Sequence, residues 1–579
     1  MRLLLLLASL SFVFMLAGCN GGRAEKKKAA DEFARFVDLH FRSAFEWRPS
    51  AGTEAGFHEY DSKTEDYSAA AIRTRIATLS EELLQLSAIR KSPLSADDEI
   101  DAAMLNGQLR SDLLDLETLR WMNRNPIPYV STPGGSVDSL IKRNFAPPAE
   151  RLRNVIVRLQ GVPPLIEAMK SNMEDPPREY TELAIRVAGG SVGFFEKTVR
   201  KWGEEAAGND ANLKRDLNDA AQKAAEAMRS GAAWLQSELL PRSKGSYAIG
   251  SENFSRKLLY DEMLEIPLDR LLAVGEANLE RDHRAFLETA QRIAPGKPPM
   301  EVMRMVSEEH PTEARLIEDT KRDVEGIRQF LVDRKIVGIP SQVRPMILET
   351  PPYARAGGFA MMDTPGAFET KATEAFYYVT PPEKEWPAKQ KEEHLRLFNR
   401  PVMEMITIHE SWPGHFLQFL YAKQFPTKAR KLAYCSTNVE GWAHYSEQMM
   451  VEEGFGNGDP KIKLAQLAEA LLRDCRYVVG IRMHTQGMTV EEGARLFMDK
   501  GFAERQVALE ETKRGTYDPT YLYYTLGKLM LYKMREDYRK AKGAGYSLEG
   551  FHNEFVRQGG LPIPLMRRIL LPGDTSPLL

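Results

Sequence analysis

The sequence predicts a mainly α-helical protein with one small β-sheet. Apolar residues recur at helical spacing through most of the 579 residues, beginning with residues 30–47. Strand signals are few, and the two best ones lie close together, at residues 344–352 and 376–382. A chain of this length usually divides into two or more domains or lobes.

The predicted helices follow one another with short breaks. Pro267 suits the first turn of a long helix that ends before Pro295, and Asn209 and Asp210 suit a turn or cap. The expected helical ranges are 30–47, 69–89, 98–121, 148–174, 178–203, 211–240, 267–290, 311–333 and about 521–538.

The strand candidates differ from the helices in residue type. Residues 376–380 are aromatic or β-branched and lead into a double proline, which suits an edge strand. Residues 344–352 are the second candidate. Between them, the glycine-containing segment at residues 356–366 is expected to line a cleft.

The most informative segment is residues 405–418. It contains a His409-Glu410 pair, a second histidine at His415, and an apolar run that would carry the pair into a hydrophobic core. Imidazoles that hold a metal ion, and an adjacent carboxylate that accepts a proton from water, are the parts of a zinc hydrolase site. The alternative is that both histidines are ordinary core or cap residues.

The spacing of the two histidines requires a break in the helix. Six residues at about 100° each would place His415 about 120° away from His409 on a regular helix. Pro413 and Gly414 lie between them, and both residues favour a kink. We therefore expect the chain to bend here and to bring His415 back toward His409.

A second segment, residues 438–447, supplies further candidate ligands. Glu440 follows His415 by 25 residues, which is about the separation of the third ligand in helical zinc peptidases of the gluzincin type. On a helix, Glu440, His444 and Glu447 share one face. An exposed polar stripe beside a buried tryptophan is the alternative.

These two motifs, H-E-x-x-P-G-H-x-x-Q and E-G-W-A-x-Y-x-E, resemble the bacterial family called domain of unknown function 885. Segments at residues 45–61, 482–484 and 524–528 resemble other signatures of that family. The family is widely regarded as a set of predicted zinc metallopeptidases, mostly helical and related in fold to the gluzincin carboxypeptidases. The resemblance therefore implies a bilobed peptidase-like body with the sheet beside the active-site cleft.

The resemblance also implies roles for individual residues. One Zn²⁺ per chain would be held by His409, His415 and Glu440, with Glu410 as general base. Tyr524 matches the family tyrosine, although Tyr521 and Tyr523 remain candidates. Together with His484 or Arg482 it would stabilise the oxyanion formed during hydrolysis. His444 departs from the family pattern, so it either competes as a ligand or lines the pocket.

A peptide substrate would need a surface for its backbone. Because the strand candidates closely precede the first motif, we expect residues 376–380, with Tyr377 and Tyr378, to bind substrate by strand addition. A purely structural sheet is an equal alternative.

The N-terminus has the features of an exported lipoprotein. Arg2 supplies a positive start, and residues 3–15 are apolar but too few to span a membrane. Residues 16–19, Leu-Ala-Gly-Cys, resemble the lipobox of bacterial lipoproteins, in which Cys19 is lipidated and becomes the mature N-terminus. The alternative is an ordinary signal peptide that is cleaved nearby.

We therefore expect a signal peptide at residues 1–18, a lipidated Cys19 with a tether to residue 30, and a helical body at residues 31–579. The catalytic part of that body would span about residues 340–579. Asn20 is not the aspartate linked to inner-membrane retention, which favours an outer-membrane anchor facing the periplasm.

Charge and cysteine content limit the partners. The 78 basic and 81 acidic residues give a net charge of −3 and are interspersed, which argues against nucleic-acid binding. Cys435 and Cys475 lack zinc-finger spacing, and they either form one disulfide or remain buried thiols. Any metal must then use histidine and carboxylate ligands.

The sequence thus favours a lipid-anchored, zinc-dependent peptidase of the carboxypeptidase or oligopeptidase type that acts on oligopeptides in the cell envelope. One alternative is a metal-dependent hydrolase for an amide or ester that is not a peptide. Another is a catalytically silent, lipid-anchored binding protein. The presence of Glu410 argues against the silent protein, because a scaffold needs no base beside a metal ligand.

Overall fold

The computed structural model describes residues 2–351, 355 and 360–579, with side chains from residue 24 onward. The predicted lipidation site, Cys19, lies outside the described side chains, and residues 356–359 of the predicted cleft segment lie outside the described residues. The fold is mainly α-helical with a small sheet, which confirms the predicted fold class.

The N-terminal helices form one side of the main core. Serine side chains start two of them, since Ser68 and Ser95 accept hydrogen bonds from backbone N–H groups one turn later. Phe33 and Phe41 are buried on the first helix, as their helical spacing predicts. These helices are α1 (Arg2–Trp47), α2 (Pro49–Ala55), α3 (Ala69–Ile89) and α4 (Ala96–Leu113).

The next helices form a smaller lobe with its own hydrophobic core. Alanines on one face of its longest helix, among them Ala221 and Ala224, allow close packing of the neighbouring helices. The helices are α5 (Trp121–Arg124), α6 (Ile127–Ile141), α7 (Pro148–Gln160), α8 (Val162–Asn172), α9 (Arg178–Gly193), α10 (Arg200–Ala207) and α11 (Ala211–Trp234).

The chain then returns to the main core. Four helices lead to the sheet: α12 (Gly250–Glu262), α13 (Leu268–Ile293), α14 (Pro299–Ser307) and α15 (Leu316–Arg334). Short 3-10 or π-helical turns adjoin several helices, at His58–Tyr60, Leu114–Thr118, Phe194–Val199, Leu235–Leu239, Leu240–Arg242, Glu313–Arg315, Phe455–Gly458 and Gly543–Gly545.

The sheet has three strands, β1 (Met346–Glu349), β2 (Ala360–Asp363) and β3 (Phe376–Val379), in the order β1-β3-β2. β3 pairs in parallel with β1 and antiparallel with β2. The prediction that residues 376–380 form an edge strand is therefore wrong, because β3 has a neighbour on each side. Its aromatic and β-branched residues suit this buried central position.

The remaining helices carry both sequence motifs and complete the main core. They are α16 (Ala388–Leu397), α17 (Arg400–Glu410), α18 (His415–Ala422), α19 (Lys428–Leu432), α20 (Ser436–Glu452), α21 (Pro460–Thr485), α22 (Val490–Gly501), α23 (Arg505–Tyr517), α24 (Tyr523–Lys542), α25 (Leu548–Val556) and α26 (Ile563–Leu570).

Two further features bear on the predictions from sequence. Cys435 and Cys475 are both free and buried. Of the two alternatives left by the sequence, the structure therefore shows two buried thiols and no disulfide between them. Among the described residues, none of the helices combines the length and apolar character that crossing a membrane requires.

Candidate metal centre

The expected break lies between α17 and α18. Asn399 caps the start of α17 by accepting a hydrogen bond from the N–H of Val402, and the helix ends at Glu410. Four residues leave helical geometry before α18 begins at His415. Gly414 is required in this turn, because a Cβ atom there would lie 1.8 Å from the carbonyl oxygen of His409. The turn therefore folds back tightly on the end of α17.

The break and α20 bring three donor atoms together. The Nε2 atoms of His409 and His415 lie 3.4 and 3.5 Å from the same oxygen, Oε2 of Glu440. Ligand atoms of the three residues all lie within 4.8 Å of one another. The two imidazole rings meet edge to face, with centroids 4.8 Å apart. We call these three residues the ligand cluster.

A close helix crossing sets the position of Glu440. Gly441 on α20 and Gly527 on α24 face each other, and a Cβ atom on Gly527 would lie 2.0 Å from the carbonyl oxygen of Thr437. Trp442 is fully buried and donates a hydrogen bond from Nε1 to the carbonyl oxygen of Pro413 at 2.8 Å. The E-G-W motif thus joins α20 both to α24 and to the turn between the histidines.

Behind the ligand cluster, Glu447 holds His409 in position. Its Oε1 atom accepts a hydrogen bond of 2.7 Å from Nδ1 of His409, and Nη2 of Arg473 lies 3.6 Å from the same oxygen. In the tautomer with its proton on Nδ1, the lone pair of Nε2 is directed at the ligand cluster. A metal-binding histidine needs this tautomer.

His444 supports Glu447 and is not one of the three converging ligands. Its Nδ1 lies 3.2 Å from Oε2 of Glu447, and its side chain is fully buried. Burial and the nearby ammonium of Lys528 lower the pKa of His444 to about 3. The imidazole is therefore neutral, and its Nδ1–H donates to Glu447. Between the two alternatives left by the sequence, His415 completes the cluster.

The charges around His409 favour a cation in the ligand cluster. Burial lowers the pKa of His409, but the carboxylates of Glu440 and Glu447 outweigh it and raise this pKa to about 10. Burial raises the pKa of Glu440, yet the imidazoles of His415 and His409 hold it well below its usual range. A divalent cation supplies the required positive charge more strongly than a proton does.

The donor set fits zinc on two observations. First, the two separations to Glu440 match the edge of a tetrahedron with Zn–N and Zn–O bonds of about 2.0–2.2 Å, which is about 3.3–3.6 Å. Second, Oε2 of Glu440 is buried and has no hydrogen-bond partner among the described residues, although both imidazoles adjoin it. A buried carboxylate oxygen without a donor is costly unless a cation binds it.

Glu410 ends α17 and faces the edge of the sheet. Its Oε2 atom accepts a hydrogen bond of 2.9 Å from the backbone N–H of Met362 in β2. In β3, the hydroxyl oxygen of Tyr377 lies 3.2 Å from Oγ1 of Thr407 on α17. The sheet therefore packs against α17 and holds the Glu410 carboxylate at the end of that helix.

Tyr524 is the tyrosine that reaches the ligand cluster. Its ring centroid lies 6.3 Å from that of His409, and its hydroxyl oxygen lies 3.3 Å from Nη2 of Arg514. Because this oxygen accepts from Arg514, the phenolic hydrogen is available to another acceptor. Tyr523 instead donates to Asp518 at 2.9 Å. Tyr521 is fully buried, with its ring against Gly480 and Gly515.

The structure does not bring Arg482 and His484 to the ligand cluster. Arg482 forms an ion pair with Glu276 on α13. His484 donates from Nε2 to the carbonyl oxygen of Gly515 at 2.7 Å, and burial lowers its pKa to about 4. Both lie near the end of α21, and Arg482 is nine residues beyond Arg473, or about 14 Å along the helix.

Tyr377 and Tyr378 are both buried and lie on the central strand of the sheet. Tyr377 is fully buried between the sheet and α17, and Tyr378 is 8% exposed and stacks on Phe376. Their burial follows from the central position of β3. The strand edge beside Glu410 belongs to β2 instead.

The positions of Glu447, Arg473, Arg514 and β2 beside the site were not predicted from the sequence. A signal existed for Glu447, because it shares a helix face with Glu440, seven residues earlier. The two arginines come from α21 and α23, and nothing in their local sequence relates them to the histidines.

Comparisons with other proteins agree with this arrangement at the level of the fold. One solved structure is described as "The structure of a putative lipoprotein of unknown function from Shewanella oneidensis"; it has a TM-score of 0.77 and 24% identity, and the match covers 93% of this chain and 99% of that chain. A second is described as "The crystal structure of the putative lipoprotein from Colwellia psychrerythraea"; the TM-score is 0.80 at 17% identity, with 94% and 98% covered.

No curated protein matches the sequence. A family model does match, over residues 49–570, and it is described as "Bacterial protein of unknown function (DUF885)". The match spans most of the chain, so the protein belongs to this family.

Proposed function

We propose that this member of the DUF885 family is a zinc-dependent peptidase of the bacterial cell envelope. The observation that carries the proposal is the convergence of His409, His415 and Glu440, with Glu410 following His409 directly in the chain. The hydrogen bond from His409 to Glu447 also supports the proposal, because carboxylates commonly orient metal-binding histidines in this way.

Each residue of the site has a distinct task. His409, His415 and Glu440 would hold one zinc ion, which when bound would act as a Lewis acid toward water and the substrate carbonyl. Glu410 would accept a proton from the attacking water and pass it to the leaving amine. Tyr524 would donate its phenolic hydrogen to the oxyanion.

The position of β2 favours a peptide as substrate. The N–H of Met362 is directed at Glu410 and away from β3, so this edge of the strand faces the proposed general base. A peptide backbone laid along that edge can form strand-like hydrogen bonds while its carbonyl reaches the cluster. Such an edge has no evident use for a small amide or ester that is not a peptide.

A cavity with both polar and apolar lining residues lies near His415. It is lined in part by Phe416, Phe419 and Leu420 of α18, and the ring of Phe419 lies 6.4 Å from that of His415. Phe419 is 41% exposed, so its face is open to a ligand. We expect this cavity to take an apolar side chain of the substrate.

The cellular location is the second part of the proposal. The lipobox-like sequence ending at Cys19 supports a lipid anchor, and the two similar structures are described as those of lipoproteins. Asn20 supports an outer-membrane anchor with the enzyme facing the periplasm. The substrates would then be oligopeptides of the cell envelope.

The direct test is hydrolysis of a mixed oligopeptide library by the zinc-loaded protein lacking residues 1–19, with products identified by mass spectrometry. Cleavage products should appear with the native sequence. Glu410→Gln should keep its zinc but lose turnover by on the order of 10²–10⁴-fold. Equal cleavage by Glu410→Gln would contradict the assignment of Glu410, and no cleavage by the native sequence would contradict the peptidase.

A further inference from the structure

The two histidines of the ligand cluster differ in the hydrogen bonding of their second ring nitrogen. Nδ1 of His409 donates to Oε1 of Glu447 at 2.7 Å. Nδ1 of His415 is buried and has no hydrogen-bond partner among the described residues. When Nε2 of a neutral histidine binds a metal, Nδ1 carries the ring hydrogen, and that buried N–H needs an acceptor. His415 therefore requires an acceptor that corresponds to Glu447.

Gln418 carries a buried oxygen that lacks a donor. It is the last residue of the H-E-x-x-P-G-H-x-x-Q motif and lies three positions after His415 on α18, so the two side chains are neighbours on the helix surface. Gln418 is 4% exposed, and its Oε1 atom has no hydrogen-bond partner within the described part of the chain. A buried donor and a buried acceptor, both unpaired, thus lie one helical turn apart.

Asn438 on α20 determines which end of the Gln418 amide is free. Its Nδ2 atom donates to the carbonyl oxygens of Leu561 at 2.8 Å and Gly559 at 3.4 Å. Its Oδ1 atom accepts a hydrogen bond of 2.9 Å from Nε2 of Gln418. A flipped Asn438 would place its own oxygen against the two carbonyl oxygens. The two main-chain carbonyls therefore fix both amides and leave Oε1 as the free end of Gln418.

The fixed amide offers only an acceptor toward His415. Oε1 has no hydrogen to donate, so it suits the form of the imidazole that carries its hydrogen on Nδ1. In that form the lone pair is on Nε2, the atom that lies 3.5 Å from Oε2 of Glu440. The orientation of the Gln418 amide thus matches the tautomer that a metal ligand needs.

We propose that Gln418 is the positioning residue for His415, as Glu447 is for His409. Its Oε1 atom accepts the hydrogen bond from Nδ1–H of His415, directly or through one water molecule, as partners of metal-binding histidines do. This inference rests on the metal site of the proposed function and not on peptide hydrolysis. In this role Gln418 touches neither metal nor substrate and acts only through His415.

The first test compares zinc affinities, measured in competition with a chelator of known affinity. Gln418→Met keeps the approximate size of the side chain and removes its amide, so we expect zinc binding about 10- to 100-fold weaker than in the native sequence. Gln424→Met, the same substitution at an exposed glutamine just beyond α18, should bind zinc like the native sequence. Equal zinc affinities in Gln418→Met and the native sequence would overturn the inference.

Gln418→Glu separates the role toward His415 from the bond to Asn438. Both Gln418→Met and Gln418→Glu lose the amide hydrogen that Asn438 accepts, but only the glutamate keeps an oxygen that can face His415. Gln418→Glu should therefore retain most of the zinc affinity. Equal losses of affinity in the two variants would assign the effect to the bond with Asn438 and overturn the inference.

The imidazole hydrogens provide a readout that a general loosening of the fold does not imitate. In zinc-loaded protein labelled with ¹⁵N-histidine, the Nδ1–H groups of His409 and His415 should give separate signals. Gln418→Met should change the shift and solvent exchange of the His415 signal alone, and Glu447→Gln those of the His409 signal alone. If Gln418→Met alters both signals alike or neither, the positioning role is wrong.

Ser411 is a competing acceptor in the turn before His415. Its Oγ atom is also buried and has no hydrogen-bond partner among the described residues. Ser411→Ala should nevertheless keep the native zinc affinity and the native His415 signal. A change of that signal in Ser411→Ala, with none in Gln418→Met, would assign the support of His415 to Ser411 and contradict the proposal.

Peptide cleavage distinguishes this inference from the proposed function. Weaker zinc binding by Gln418→Met, with no cleavage of any library peptide by the native sequence, would count against the peptidase and leave the role of Gln418 standing. Cleavage by the native sequence, with unchanged zinc affinity in Gln418→Met, would support the peptidase and overturn the role of Gln418.

Discussion

The Nδ1 atom of His409 and the Oε1 atom of Glu447 lie 2.7 Å apart, although the two residues are 38 positions apart in sequence. Glu447 is fully buried, and burial raises its pKa, yet Arg473, His444 and His409 hold that pKa well below its usual range. An ionised carboxylate at this position accepts a hydrogen bond from the Nδ1–H group of His409 and directs Nε2 toward Glu440 and His415. Residues that make no contact with the metal position therefore determine the orientation of the imidazole that would bind the metal.

Glu447→Gln should weaken zinc binding by about 10- to 100-fold, because the amide oxygen still accepts a hydrogen bond from Nδ1–H of His409 but no longer carries the charge. The measurement is a competition titration of zinc against a chelator of known affinity. Glu452→Gln, at the exposed end of the same helix, should bind zinc like the native sequence. An unchanged affinity in Glu447→Gln would contradict its supporting role.

Gly414→Ala should destroy the turn between the two histidines. Its new Cβ atom would lie 1.8 Å from the carbonyl oxygen of His409, so His415 must move away from His409 and Glu440. We expect loss of zinc together with a lower midpoint of thermal unfolding. Gly189→Ala on α9 is the control, because its Cβ atom would meet nothing within 4 Å. Zinc content equal to that of the control would show that the turn is not required.

A buried carboxyl group near the start of α20 should make stability depend on pH. Burial raises the pKa of Glu262 from 4.5 to about 7, even though the thiol of Cys435 and the hydroxyl and N–H of Thr437 donate to it. The native state therefore binds the proton more tightly than the unfolded state. This stabilisation is complete below pH 4.5 and is lost as pH rises through about 7.

The loss in the free energy of unfolding is about 3 kcal/mol for a pKa shift of the size found at Glu262. Glu262→Gln imitates the protonated carboxyl, so it should reduce the fall in unfolding free energy between about pH 5 and 8 by that amount. Urea denaturation at several pH values measures this difference. Glu265→Gln, which alters an exposed residue nearby, should leave the pH dependence unchanged. An equal pH dependence of the unfolding free energy in both variants would contradict the assigned role of Glu262.

Local sequence signals predicted those parts of the fold that local interactions determine. The expected helix at residues 69–89 matches α3, because Ser68 caps it and its apolar positions Leu79 and Leu86 are buried on one face. The break at Pro413 and Gly414 follows from the conformational limits of these two residues. Both predictions use information carried within a few turns of one helix.

The errors arose where distant segments meet. β2 has the sequence Ala-Met-Met-Asp, which carries no strand signal, and it forms because β3 and α17 offer it partners. Because β2 was not predicted, the aromatic residues of β3 were assigned to an edge strand of the sheet. Arg482 and His484 were chosen by residue type and family pattern, but α21 carries them away from the ligand cluster to Glu276 and Gly515.

The central claim is that His409, His415 and Glu440 hold a metal ion, and metal content tests it most directly. The folded protein lacking residues 1–19 and its His409→Ala variant are measured by inductively coupled plasma mass spectrometry after dialysis against trace zinc. We predict about one zinc per chain in the native sequence and almost none in the variant. Folded native protein without zinc, or equal zinc in both proteins, would contradict the claim.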